Sequence, residues 1–123
     1  LSNLDFANTD LSSVVFSYES MFHEELQWNI DNRNKVRNVS SVNLSGANLS
    51  GADLSGKNLA MVIFYGANLS NADLSSADLR YADLRNADLS GSDLTNTNLE
   101  FTDLDGAILD NTILKCTNHS ICD

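Results

Sequence analysis

The sequence predicts an all-β chain wound as a four-sided parallel β-helix, a solenoid, and three observations carry that prediction. From Val42 to Cys116 the chain divides into fifteen consecutive five-residue units with no slip of frame. Every fifth residue from 44 to 114 is leucine, fourteen times, with Phe64 the single substitution. Two residues before this centre the side chain is small in most units, as at Ala47, Ala52, Ala72 and Thr97, and the last position of the unit holds all six glycines together with Asn71, Asn86, Asn96 and Asn111.

The glycine and asparagine positions identify the corners. Four residues beginning at the central leucine form a β-turn whose third residue is this site, and a type II turn needs positive φ there, which Gly and Asn adopt at least cost. The five units ending in Met61, Ser76, Tyr81, Phe101 and Cys116 are expected to turn differently. A corner every five residues excludes an α-helix or a hairpin sheet. The small and large apolar residues stand two apart, so an extended backbone points both to one side. Turning the same way at every corner puts that side inward. Four units, or 20 residues, close one square coil, and coils stack at about 4.8 Å. The interior then holds columns such as Leu44, Phe64, Leu84 and Leu104.

Units such as Ala72-Asp73-Leu74-Ser75-Ser76 and Ala77-Asp78-Leu79-Arg80-Tyr81 resemble the pentapeptide repeat family, and the resemblance covers about 95 of 123 residues. It implies a right-handed coil. The family is abundant in cyanobacteria, and its best understood members mimic DNA and protect gyrase from quinolones; most have no known activity.

Taken in order, the chain reads as a single domain over residues 1–123. Residues 1–21 carry a poorer first coil, with Phe6, Leu11, Phe16 and Met21 five apart. Residues 22–38 break the frame and are expected to leave and re-enter at a corner as a protruding insertion, with a short helix after Ser20 as one reading. Residues 42–116 are the fifteen regular repeats, and 117–123 a tail. Nineteen units make nearly five coils, a rod of about 24 Å.

Net charge is −10, from 17 acidic and 7 basic residues. Such a balance argues against direct nucleic-acid binding, which depends on cationic neutralisation of phosphate, and favours a basic partner. No apolar run is long enough to span a membrane. A first residue of Leu1 rather than Met suggests that a leader or other N-terminal segment has been removed.

Candidate sites are few. Stacking by twenty sets Asp53, Asp73 and Asp93 in one outward column and Asp83 above Asp103 in another. Like charges at that spacing repel by about 1 kcal/mol in water, so the carboxylates must bond nearby backbone or splay into solvent. A calcium ladder would need six to eight converging oxygens, which single columns do not supply. The insertion contains the one tryptophan, Trp28, with Arg33, Lys35 and Arg37. Trp28 either packs against the rod or anchors a partner-binding loop with those cations. Lys57 stands at a small inward position, so the backbone is expected to shift or the side chain to escape outward. Cys116 and Cys122, the only cysteines, can close a disulfide, remain thiols, or ligate a metal with His119, although no fourth ligand is evident. A disulfide implies an oxidising compartment, a periplasm or thylakoid lumen, with the cytoplasm as the alternative. His23 and His119 lack partners at any triad spacing. Neither a catalytic residue nor a cofactor is predicted.

The resulting expectation is a non-enzymatic structural or interaction scaffold. It would bind an unidentified protein through its acidic faces, the 22–38 loop, or both. The alternative is a DNA mimic acting on gyrase. A single rod matches roughly seven base pairs in length, so mimicry would call for an end-to-end homodimer through the N-terminal coil.

Overall fold

A computed structural model describes residues 5–7 and 42–123. Parallel pairing joins residues one coil apart on each of four faces. Asn43, Ile63, Asp83 and Asp103 form one row; Asn48, Asn68, Asp88 and Ile108 the next; then Asp53, Asp73, Asp93 and Ile113; then Asn58, Asp78, Asn98 and Thr117. The spacing is 20 residues throughout, except that Asn98 meets Thr117 after 19.

One unit, residues 72–76, shows why the coil is stable. The Ala72 N–H donates to the Leu69 carbonyl across the corner (3.1 Å), and that of Asp73 reaches Ala52 on the previous coil (2.9 Å). The N–H groups of Leu74 and Ser76 donate to Asp93 (2.9 Å) and Thr95 (2.8 Å) on the next coil. The remaining donor, Ser75 N–H, bonds Oδ1 of Asp73 at 2.9 Å. All five backbone donors are satisfied, as a backbone closed in on itself requires. The Asp or Asn before the centre is therefore a cap for the corner, the Asx arrangement favoured in turns.

Corner geometry corrects the turn expectation. Met61, Ser76, Tyr81 and Phe101 do not turn differently: their φ values are 65°, 59°, 60° and 57°, alongside 65–73° at Gly66, Gly91 and Gly106. The reason lies between coils. The corner N–H must point along the axis to the next coil, as Met61 does to Arg80 (2.9 Å) and Tyr81 to Glu100 (3.0 Å), whatever side chain it carries. Cys116 is the exception: it is absent from the positive-φ residues, and the shortened 19-residue step falls at its corner.

Leu44, Leu49, Leu54, Leu59, Phe64 and the leucines from Leu69 to Leu99 are fully buried. Leu104, Leu109 and Leu114, in the last coil, are partly covered. Where the small inward position is polar, its hydroxyl finds a carbonyl. Thr97 Oγ1 donates to Leu74 and Thr102 Oγ1 to Leu79, both at 2.7 Å, and Ser92 Oγ to Leu89 at 2.7 Å. Lys57 leaves the backbone undisturbed, with Asp78 N–H still donating to its carbonyl at 2.9 Å. Of the two expected outcomes the backbone shift is therefore not the one adopted, and the residue is half-buried.

At the N-terminal side, Asp5 pairs with Asn48, Phe6 N–H donates to the Asn48 carbonyl at 2.6 Å, and Phe6 packs on the core. Phe6 is thus a central residue, on the level below Leu49. The two are 43 residues apart in the chain, where one coil of the array takes 20. At the other end Cys116 and Cys122 form a disulfide with Cα atoms 5.1 Å apart. Thr117 stays in the ladder (N–H to Thr97 carbonyl, 2.9 Å), and Asp123 N–H closes onto Leu114 at 2.8 Å. Among the described residues no helix is long and apolar enough to cross a membrane.

Candidate protein-interaction face

The face through Ile63, Asp83 and Asp103 lies between two corners that differ from the rest. At one, the third turn residues of successive coils are Met61, Tyr81 and Phe101, exposed to 44%, 60% and 67%. Tyr81 and Phe101 stack with centroids 5.0 Å apart and planes at 22°. At the other corner Tyr65 is 46% exposed, the Arg85 guanidinium lies over its ring at 5.5 Å, and Asn86 Nδ2 donates to its hydroxyl at 3.1 Å. Arg85 also forks onto Asp83, Nε to Oδ1 at 2.9 Å and Nη2 to Oδ2 at 2.7 Å, and its Nε is 3.8 Å from Asp103. Arg80 repeats the fork on Asp78.

The acidic columns prove to be part of the frame as well as of the surface. In twelve units of the array the Asp or Asn Oδ1 accepts the N–H two residues on; Asp73, Asp83, Asp93 and Asp103 do so at 2.8–3.1 Å. A following Ser or Thr adds its hydroxyl, as Thr95 does to Asp93 at 2.6 Å. The Arg80 guanidinium holds the Asp78 carboxyl below the usual carboxylate range, and Arg85 does the same to Asp83; partial burial opposes both. Asp93 is lowered first by the Thr95 hydroxyl and then by the Thr95 N–H.

A carboxyl whose folded pKa is depressed stabilises the fold above its unfolded pKa, near 4, and loses that contribution as pH falls through the folded value. The urea midpoint is therefore expected to drop as pH falls below about 4. Asp93→Asn keeps an acceptor for Thr95, as Asn48 does for Ser50, and should preserve the neutral-pH midpoint while flattening the acid limb. Asp93→Ala, which leaves the Thr95 N–H uncapped, should cost about 1 kcal/mol at neutral pH. Equal acid limbs for Asp93→Asn and the wild type would refute the linkage.

Of the sequence-predicted site residues, the Asp columns stand where stacking by twenty places them. The loop residues Trp28, Arg33, Lys35 and Arg37, the short helix, and most of the N-terminal coil proposed as a dimer edge lie outside the described residues. His119 serves its own tail: Nδ1 accepts the Ile121 N–H at 3.3 Å. No group of His, Cys, Asp and Glu able to hold a metal occurs among the described residues. The aromatic corner is the feature that reading for regularity overlooked. Its signal was present, since Met61, Tyr81 and Phe101 fall in one register of twenty.

A model of pentapeptide repeats matches in eight copies, across residues 43–80 and 72–111. The chain belongs to the pentapeptide repeat family. Its four-sided coil is accordingly the right-handed quadrilateral β-helix. This pentapeptide repeat protein is similar to one from Nostoc Pcc 7120, known from a crystal structure. The two are 46% identical over 53% of this chain and 54% of that one, with a TM-score of 0.52. It is also similar to a pentapeptide repeat protein from the Arabidopsis thaliana thylakoid lumen, 27% identical over 87% of this chain and 59% of that one, TM-score 0.49. QnrB1, a plasmid-mediated fluoroquinolone resistance protein, is 17% identical over 99% of this chain and 63% of its own, with a TM-score of 0.36 that carries no functional argument. The chain spans about half the length of the first relative and less than two thirds of the others. No curated protein matches it.

Proposed function

We propose that this pentapeptide repeat protein is a non-enzymatic scaffold that docks a protein partner on the face bounded by Met61, Tyr81 and Phe101 on one side and Tyr65 and Arg85 on the other. One observation carries the reading. Three bulky apolar residues occupy left-handed corner positions, at φ 57–65°, where the other left-handed corners of the array carry Gly, Asn or, at residue 76, Ser. A non-glycine residue in that region costs on the order of 1–2 kcal/mol, and conformational strain that packing does not explain points to function. The side chains are exposed, so core burial gives no return for the strain. Aromatic residues and Met are also the types enriched at interface cores.

Asn tolerates the corner geometry, so the double variant Tyr81→Asn/Phe101→Asn tests the idea directly. Relief of part of that strain at each site should offset the lost ring stacking, about 0.5–1.5 kcal/mol. The urea midpoint should hold or rise while partner recovery in quantitative pull-downs from source extract falls. A parallel variant with residues 22–38 replaced by a short linker measures the contribution of the loop. Unchanged recovery by the double variant would overturn the docking reading.

The Cys116–Cys122 disulfide supports placement in an oxidising compartment, a periplasm or thylakoid lumen. Gyrase mimicry is supported less well. A DNA mimic needs carboxylates free to stand in for phosphates, whereas here Oδ1 of the ladder aspartates is committed to the next corner and Asp78 and Asp83 are paired with arginines. Inhibition of supercoiling at micromolar protein would reverse that preference.

A further inference from the structure

Resting on that docking reading, we propose that the Tyr81–Phe101 corner accepts an arginine-rich segment of the partner protein. The first argument is charge. Around this face two arginines, Arg80 and Arg85, stand against five carboxylates, Asp78, Asp83, Glu100, Asp103 and Asp105. Both arginines are spent on forked pairs with Asp78 and Asp83. That leaves Glu100, Asp103 and Asp105 outside those forks, on a chain of net charge −10. A second copy of the chain or a nucleic acid would bring more negative charge to that face, and an uncharged apolar segment would bury the carboxylates without neutralising them.

The second argument comes from the neighbouring corner, where the protein satisfies the same combination internally. Arg85 spreads over the Tyr65 ring at 5.5 Å while its edge forks onto Asp83 and approaches Asp103 at 3.8 Å. Ring face and carboxylate together select a flat, forked cation. At the next corner there are two rings rather than one, both are more exposed, and Glu100 precedes Phe101 in the chain. Glu100 also favours the charged Arg80 guanidinium, after the larger effect of Asp78, so its carboxylate lies within electrostatic range of a cation at this corner. Arginine fits such a site better than lysine because its planar guanidinium stacks and forks at once and is more weakly hydrated.

The test titrates the full chain, by calorimetry at physiological ionic strength, with a synthetic Arg-Gly repeat peptide and a Lys-Gly repeat of equal length. Binding of the Arg-Gly peptide, several-fold weaker binding of Lys-Gly, and roughly tenfold weaker Arg-Gly binding to Tyr81→Asn/Phe101→Asn are expected. Glu100→Gln, which leaves every corner intact, should also weaken Arg-Gly, and it serves as the second variant should the aromatic double variant fold poorly. Equal affinity for the two peptides, or undiminished binding by the variants, would reduce the effect to bulk acidity and overturn the proposal, as would no binding at all. If the peptides fail while the double variant still loses its partner in pull-downs, the arginine inference falls and the docking face stands. If the partner is retained as well, both fall.

Discussion

Phe64→Ala is expected to destabilise the protein by about 3–5 kcal/mol. Among the described residues Phe64 is the largest fully buried side chain, and it sits in a column with Leu44 below and Leu84 above. The void cannot close by collapse, because Leu44 N–H donates to the Ile63 carbonyl (2.7 Å) and Phe64 N–H to Asp83 (2.7 Å), which ties the coils on either side at fixed spacing. The size of the cost depends on how far a site relaxes, and here it relaxes little. Leu104→Ala, in the same column but only half-buried, should cost nearer the lower end, about 2 kcal/mol. Urea denaturation followed by far-UV circular dichroism measures both. Equal losses at the two positions would contradict the graded burial along the rod.

Removing the disulfide, by Cys116→Ser/Cys122→Ser or by reductant, is expected to cost about 2 kcal/mol, the chain-entropy value for so short a loop. The loss should be local. In a solenoid each coil contacts only its neighbours, and what the loop secures is the last one. It holds Thr117 in the ladder, where its carbonyl accepts the Leu99 N–H at 3.1 Å, and it returns Asp123 to Leu114. Hydrogen exchange should show lost protection at Leu99, Thr117 and Asp123, with the amides of Asp73 and Leu74 unaffected. Uniform loss along the rod, or no change on reduction, would mean that the terminus is held by other contacts.

Much of this fold was legible in the chain because one period governs both the core and the corners. Leucine every fifth residue specifies the inward column, and Gly or Asn two residues later specifies the turn. The same local logic failed at Met61, Ser76, Tyr81 and Phe101, where turn preference speaks for another conformation and the hydrogen bond to the next coil overrules it. The caps were half visible. Asp and Asn before the centre suggested acidic columns, and only the Ser or Thr two residues later in many units hints that Oδ1 turns back to the corner. The docking face was least visible, because its residues are irregularities in an otherwise regular array, and such positions read as noise until they are stacked by twenty. Trp28 and the basic residues of 22–38 follow no period, so their role has no comparable handle in the sequence.

Since each unit advances the chain by a quarter revolution, every residue in the array has an angular address set by its number modulo twenty. Excising a whole revolution between Tyr81 and the tail would shorten the rod and leave the surviving side chains on their original compass points. Excising one unit, such as residues 87–91, would be nearly silent to the interior, where one leucine simply replaces another. Phe101 would nevertheless swing ninety degrees away from Tyr81. Insertions and deletions in multiples of five can thus reshuffle what the outside presents while the inside hardly registers the change.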